Sequence, residues 1–156
     1  MAKVFLGLGT NLGNKEENLR TAVRWIEEKI GKCLSLSSFY ETAPWGFESE
    51  NQFLNAAACV ETSLTPEEVL RTTQIIEREL GRQKKSEAGV YTDRPIDIDI
   101  LLYDGQILQT DGLTIPHPLM HERDFVMKPL AEIAPDVIHP VLQRTMKEIA
   151  AHTGNK

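Results

Sequence analysis

The run DRPIDIDILLYD, residues 93–104, constrains this chain more than any other feature. Ile96, Ile98 and Ile100 alternate with Asp97 and Asp99, and a period of two is the pattern of a β-strand with one buried face. The isoleucines point into a core while both carboxylates share the opposite face. Their Cα atoms stand roughly 6.6–6.8 Å apart, the rise of two strand residues. Two carboxylates so placed can converge on one metal, or clamp two ions about 3.5–4 Å apart. Hard oxygen donors with no neighbouring cysteine favour magnesium. The same pattern also suits a solvent-facing edge that carries acids to discourage strand pairing. In either case the fold must bury one face of this strand and leave the other open.

The remaining elements suit a sheet that houses such a strand. Lys3 to Leu8 reads as a short strand ending in the turn-prone GTNLGN. Asn14 and Glu17 form a capping-box pair for a helix whose Leu19, Ala22, Val23, Ile26 and Ile30 recur at helical spacing, and Gly31 is placed to end it in the left-handed conformation. Leu34 to Glu41 and Phe53 to Glu61 read as strands, with a Pro- and Gly-containing loop at 42–52 between them. Thr65 as N-cap, Pro66, and Glu68 open a second helix with Val69, Thr73, Ile76 and Leu80 as its inward stripe, and Gly81 is its expected stop. Residues 82–95 lack apolar periodicity and are expected to form a loop. Beyond the strand Ile96 to Tyr103, Asp104-Gly105 predicts a type I′ hairpin into Gln106 to Leu108. A helical stretch around Glu122 to Ile133, interrupted at Pro129, and a short helix begun by Thr145 and Glu148 complete the chain. The order β-α-β-β-α-β predicts an α+β ferredoxin-like sandwich: an antiparallel sheet with helices on one face, plus an extra hairpin strand and short C-terminal helices.

Composition narrows the function. At 156 residues and 41% apolar composition, one domain spanning 1–156 is expected. A net charge of −6 argues against a general nucleic-acid binder, which needs a broad basic surface. Nevertheless Arg78, Arg82, Lys84, Lys85 and Arg94 concentrate positive charge just ahead of the acidic pair. Cys33 and Cys59 lack metal spacing and are expected to be buried free thiols. The segment MAKVFLGLG is too short for a signal h-region, and no apolar run approaches the roughly 20 residues of a membrane span, so a cytoplasmic, soluble protein is expected.

Several side chains stand out beside the acids. Cations and magnesium together neutralise a polyphosphate, and Arg94 with the basic stretch supplies the cations three residues and more before Asp97. Gln74 and Glu77 border the apolar face of the second helix, where they either meet solvent or face the acidic strand. His117 lies between Pro116 and Pro118, which impose extended geometry. Phe53 and Phe125 either pack in the core or stack on the faces of a planar heterocycle whose edge Asn55 reaches. His121, His139 and His152 show no paired spacing and read as surface residues. GLGTNLGN lacks the glycine spacing and lysine of a P-loop, and neither a nucleophile elbow nor the kinase signature set is present.

The segments GLGTNLG, SSFYETAPWG, FLNAA, TQIIERELGR, RPIDIDILLY and LTIPHPLMHERDFVMKPL occur in one order over nearly the whole chain. Together they resemble the 6-hydroxymethyl-7,8-dihydropterin pyrophosphokinase family of the folate pathway. The resemblance implies a diphosphokinase that transfers the β,γ-pyrophosphoryl group of ATP to the pterin hydroxymethyl oxygen and releases AMP. It implies Asp97 and Asp99 as ligands of two magnesium ions, with Arg82 and Arg94 acting on the transferring charge. Gln74, Glu77, Lys85, Arg94, Ile100, Thr114, His117 and Arg123 fall at nucleotide-binding positions. Thr42, Ala43, Pro44, Trp45, Phe53, Asn55 and Phe125 fall on the pterin side. The chain departs from the commoner family pattern at GVYTDRPIDID, where Tyr91 stands in a region that usually carries tryptophan, at Phe53 in place of tyrosine, and at Pro118. A monomer acting on ATP and the pterin, without nucleic-acid or membrane partners, is expected. Two other readings remain: a ferredoxin-like nucleotide or RNA module with structural aspartates, and a different magnesium-dependent transferase holding a nucleotide diphosphate.

Overall fold

Alternating apolar residues from the first strand onward fix which face each strand buries. The computed structural model describes residues 1–11, 13–42, 53–88 and 96–153, with the side chains of residues 42 and 82–88 outside that description. Strand β1 (Ala2–Thr10) leads to helix α1 (Lys15–Lys29), then β2 (Gly31–Leu36), β3 (Tyr40–Thr42), β4 (Phe53–Thr62) and helix α2 (Pro66–Ala88). Next come β5 (Asp97–Tyr103), β6 (Leu108–Thr110), β7 (Leu113–Ile115), a 3-10 turn at Met120–Glu122, α3 (Asp124–Ile133) and α4 (Met146–His152). The main sheet has the order β2-β4-β1-β5, with β3 also pairing to β4, and its pairings are antiparallel. This is the ferredoxin-like order with β1 and β4 central.

Val4, Leu6, Leu8, Ala56, Ala58, Val60, Ile98 and Ile100 pack with Leu19, Ile26, Val69, Ile76 and Leu80 from α1 and α2. The other face is covered as well: Phe5, Ala57, Cys59 and Leu101 pack with Met127 and Leu130 of α3 and Met146 and Ile149 of α4. The expectation of helices on one face is therefore corrected. Strands as continuously apolar as LNAAACV are buried on both sides, and each face needs its own cover.

Local signals located the helix starts well. The Asn14 side chain accepts from Glu17 N at 3.1 Å, and Thr65 and Glu68 exchange both capping bonds, at 2.9 and 3.2 Å. Thr145 and Glu148 do the same for α4. Helix ends were less legible. α2 passes Gly81 and runs to Ala88, so Arg82 and Lys85 stand on a helix backbone and not in a loop. A buried helical glycine costs about 1 kcal/mol, and the Arg, Gln and Lys residues after it are good helix formers. α3 likewise runs through Pro129 without interruption. A proline there costs about 3 kcal/mol, offset by about 1.5–3 kcal/mol for each of the fully buried Met127 and Leu130.

Further expectations change. The strand expected at 34–41 is two strands, β2 and β3, parted at Ser37, whose N donates to Ala57 O and whose Oγ accepts from Ala57 N, both at 2.9 Å. Gly31 opens β2 and does not cap α1 in the left-handed region; a Cβ there would lie 1.9 Å from Glu61 O, so close strand approach demands the glycine. A turn forms at Asp104-Gly105, closed by Gln106 N donating to Tyr103 O at 3.1 Å, but it is not the expected type I′: Asp104 has φ 48° while Gly105 is outside the positive-φ region that type I′ requires, and β6 pairs with β7 around Gly112 at φ 89°, not with β5. A second Asp-Gly, Asp111-Gly112, was the overlooked signal. Cys33 and Cys59 are free, Cys59 buried and Cys33 half-buried. His139 is buried and not a surface residue; its Nδ1 accepts from Val141 N and Leu142 N, which organises the following loop.

Candidate active site

Cross-strand neighbours in an antiparallel sheet project on the same face. Asp97 stands opposite Gly9, Gly9 opposite Asn55, and Asn55 opposite Tyr40, so one row crosses the sheet through four strands. The adjacent row runs from Asp99 through Gly7 to Ala57. Both acids are exposed while Ile96, Ile98 and Ile100 are buried, as the alternation requires. The face they share is the one that α3 covers, because Leu101, the next residue on that side of β5, packs against α3.

Gly7 and Gly9 keep the floor between the acids and Asn55 free of side chains. A Cβ on Gly9 would meet Asn55 Oδ1 at 2.9 Å, and one on Gly7 would touch Leu101 at 3.4 Å. Above this floor is a cavity of about 180 Å³, lined by Phe53, Asn55, Asp97, Asp99, Arg123 and Phe125 together with the two glycines. Phe125 is 38% exposed, and the Arg123 guanidinium lies 5.6 Å from its ring centroid. Asn55 is only 5% exposed, so its amide is held at the cavity base.

Glu77 reaches the site from α2. Its Oε2 accepts from Ile98 N at 2.7 Å, between the two aspartates, and so pins the outer edge of β5. Without such a partner an edge strand offers that amide to any other chain. His117 is half-buried: its backbone N donates to Leu101 O at 3.0 Å, and its Nδ1 accepts from Leu119 N at 3.3 Å. Burial pushes the imidazole below its ordinary value, the Asp99 carboxylate pulls it up, and Arg123 pushes it down. With Nδ1 accepting, the neutral ring carries its proton on Nε2.

The cavity therefore unites Asp97, Asp99, Phe53, Asn55, Arg123 and Phe125; His117 joins through its charge contacts and Glu77 through Ile98. Gln74 is exposed on α2, one turn before Glu77, and Thr114 is half-buried on β7; neither lines the cavity. The Ile100 side chain belongs to the core, leaving only its backbone for a ligand. Thr42 pairs with Phe53 through its backbone. Ala43, Pro44, Trp45, Tyr91 and Arg94 lie outside the described residues, as do the side chains of Arg82 and Lys85. Gly7 and Gly9 were missed as site residues. Their alternation with Leu6 and Leu8 was the available signal, since it leaves one strand face bare.

Two exposed carboxylates beside an aromatic-lined cleft on an α+β ferredoxin-like sheet are the makings of a small-molecule site. Residues 5–135 match the family 7,8-dihydro-6-hydroxymethylpterin-pyrophosphokinase, and the chain belongs to it. A 2-amino-4-hydroxy-6-hydroxymethyldihydropteridine pyrophosphokinase of Porphyromonas gingivalis is 51% identical over 141 residues, covering 90% of this chain and 95% of that protein. The Aquifex aeolicus protein of the same name is 41% identical over 148 residues, covering 95% and 90%. The wild-type HPPK-DHPS of Plasmodium falciparum superposes with a TM-score of 0.76 at 20% identity, over 97% of this chain. The chain spans 43% of that longer protein, and the likeness concerns the fold.

Proposed function

We propose that this chain, as a single pyrophosphokinase domain over residues 1–156, transfers a pyrophosphoryl group from ATP to 6-hydroxymethyl-7,8-dihydropterin in folate biosynthesis. The hydroxymethyl oxygen attacks the β-phosphorus, the bond from that phosphorus to the α,β-bridging oxygen breaks, AMP departs, and the hydroxyl proton passes to solvent. The observation that carries this reading is the placement of Asp97 and Asp99 on one cleft floor with Phe53, Asn55 and Phe125. Acidic ligands and an aromatic slot are what a metal-bound polyphosphate and a planar heterocycle need side by side.

Among the described residues no cluster of three or more His, Cys, Asp or Glu is placed to hold a metal. The donor set nonetheless fits magnesium, which is held by one or two carboxylates and completes its shell with waters and substrate phosphates. Asp97 and Asp99 would hold two such ions, which when bound neutralise phosphate charge and align the reacting oxygens. The chain's own groups do the rest. Phe53 and Phe125 take the pterin faces, Asn55 takes its edge, and the backbone of Thr42, Ala43, Pro44 and Trp45 adds hydrogen bonds. The neutral His117 donates from Nε2 toward phosphate, and Arg123 contributes charge beside it. Glu77 keeps Asp97 and Asp99 aimed by holding the amide between them. Gln74, Lys85, Ile100 through its backbone, and Thr114 complete the nucleotide side, and Arg82 and Arg94 meet the charge of the transferring group. Catalysis is then alignment and charge neutralisation.

The protein acts as a cytoplasmic monomer in this reading. Incubation with ATP, magnesium and the reduced pterin, followed by identification of the nucleotide product, tests it. AMP formed only when pterin is present supports pyrophosphoryl transfer. ADP indicates a simple kinase, and an absence of pterin-dependent turnover returns the chain to a binding role.

A further inference from the structure

Glu132 occupies the last turn of α3, seven residues after Phe125, and two helical turns bring both side chains to the same helix face. Its carboxylate gathers four hydrogen bonds from the edge of the sheet. Ser38 N donates to Oε2 at 3.0 Å and to Oε1 at 3.1 Å, Ser38 Oγ donates to Oε2 at 3.1 Å, and Tyr40 OH donates to Oε1 at 2.5 Å. These partners are 92 and 94 residues away in sequence. The Tyr40 hydroxyl and the Ser38 donors draw the Glu132 carboxyl below its ordinary value, and the carboxylate raises the Tyr40 phenol.

The tie falls beside β3, a short strand. β3 is three residues long and, among the described residues, pairs only with β4, and a strand that short is weakly fixed by ladder bonds alone. Yet its register matters to the cleft: Tyr40 is the cross-strand partner of Asn55, and Thr42 that of Phe53. Phe125, which also lines the cleft, rides on α3. Glu132 therefore joins the segment next to the strand partners of Asn55 and Phe53 to the helix that carries Phe125.

We infer that Glu132 is a positioning residue for the heterocycle side of the site, setting the separation of β3 from α3 through Ser38 and Tyr40. The inference rests on the pterin reading of the cleft. Glu132→Ala removes the acceptors, Glu132→Gln leaves one oxygen for Tyr40, and Tyr40→Phe and Ser38→Ala each remove one donor. Steady-state kinetics should show KM for the pterin raised roughly tenfold in Glu132→Ala, the scale of one lost charge-assisted bond. KM for ATP and kcat should stay within about twofold, Glu132→Gln should recover part of the loss, and Tyr40→Phe should add little to Glu132→Ala because both cut one network. Hydrogen exchange should report lost protection at residues 40–42 of β3 and unchanged protection in β1. An unchanged pterin KM, or equal increases in both KM values, overturns the inference. Should Glu132→Ala fail to fold, the Tyr40→Phe and Ser38→Ala kinetics decide by the same criteria. A wild-type protein that turns over no pterin overturns the functional reading instead, while normal wild-type turnover with an unaffected Glu132→Ala overturns this inference alone.

Discussion

Replacing Gly9 by Ala tests the cleft floor with one methyl group. The added Cβ would lie 2.9 Å from Asn55 Oδ1, nearer than non-bonded carbon and oxygen tolerate, so the amide must move. Asn55 is 5% exposed and cannot move freely into solvent. A displaced buried polar group costs about 1–3 kcal/mol when its bonds are lost. Against this, alanine in place of glycine within a strand gains about 0.5–1 kcal/mol from reduced unfolded-state freedom. The net loss of stability is about 0–2.5 kcal/mol, and each kcal/mol lowers Tm by about 2–4 °C for a chain of this size. The effect on ligand is expected to be larger in relative terms. Loss of the proposed Asn55 contact, at about 1–3 kcal/mol for a buried polar group left unpaired, weakens pterin affinity by about 5- to 160-fold, with nucleotide affinity near wild type. Titration calorimetry with the pterin in the presence of a non-hydrolysable ATP analogue, beside a thermal melt, separates the two effects. Gly7→Ala is the companion, since the atoms nearest its Cβ belong to the Leu101 side chain, at 3.4 Å, an ordinary contact, and not to Asn55. Wild-type pterin affinity in a folded Gly9→Ala protein refutes the idea that this glycine keeps Asn55 in position.

Asp97→Asn and Asp99→Asn should each lower magnesium-dependent turnover by at least about 100-fold, the scale of losing a main charge-stabilising group, with an unchanged circular dichroism spectrum because both side chains are exposed. Near-normal rates in either variant exclude a metal role for that residue. Glu77→Ala should leave pterin affinity unaltered and raise the magnesium concentration needed for half-maximal rate, since the amide between the aspartates loses its 2.7 Å acceptor; faster exchange at Ile98 N is the structural check. His117 and His139 both favour the neutral ring in the fold, chiefly through burial, so the unfolded chain binds more protons. Their contribution is intact above the ordinary histidine value of 6.5 and is lost as pH falls from there through the lower folded values. Urea midpoints should decline across that window, and His139→Gln should flatten the decline; a midpoint rising toward acid contradicts the assignment.

Local signals carried much of the architecture. Capping pairs at Asn14, Thr65 and Thr145 were legible because each joins residues only three apart, and the alternation around Asp97 and Asp99 declared which face of β5 is buried. The helix past Gly81, the uninterrupted turn at Pro129 and the pairing of β6 with β7 were not. Each was settled by burial or by competition between two turn signals, which a local window does not weigh. Most of the candidate site residues lie in the ordered family segments; Gly9 lies in one of them without standing out, and Glu132 falls beyond the last.

What the sequence by itself determined, then, is the acidic face of β5, the helix starts and the family. Tertiary structure alone decided that Gly7 and Gly9 lie beside those acids, that Glu77 holds the amide between them, and that Glu132 reaches across to Ser38 and Tyr40. The physical reason is range. Capping bonds and periodicity act within a few residues, whereas strand register and helix docking join groups separated by 21 residues for Glu77 and Ile98 and by 92 for Tyr40 and Glu132, and only the packed core brings those together.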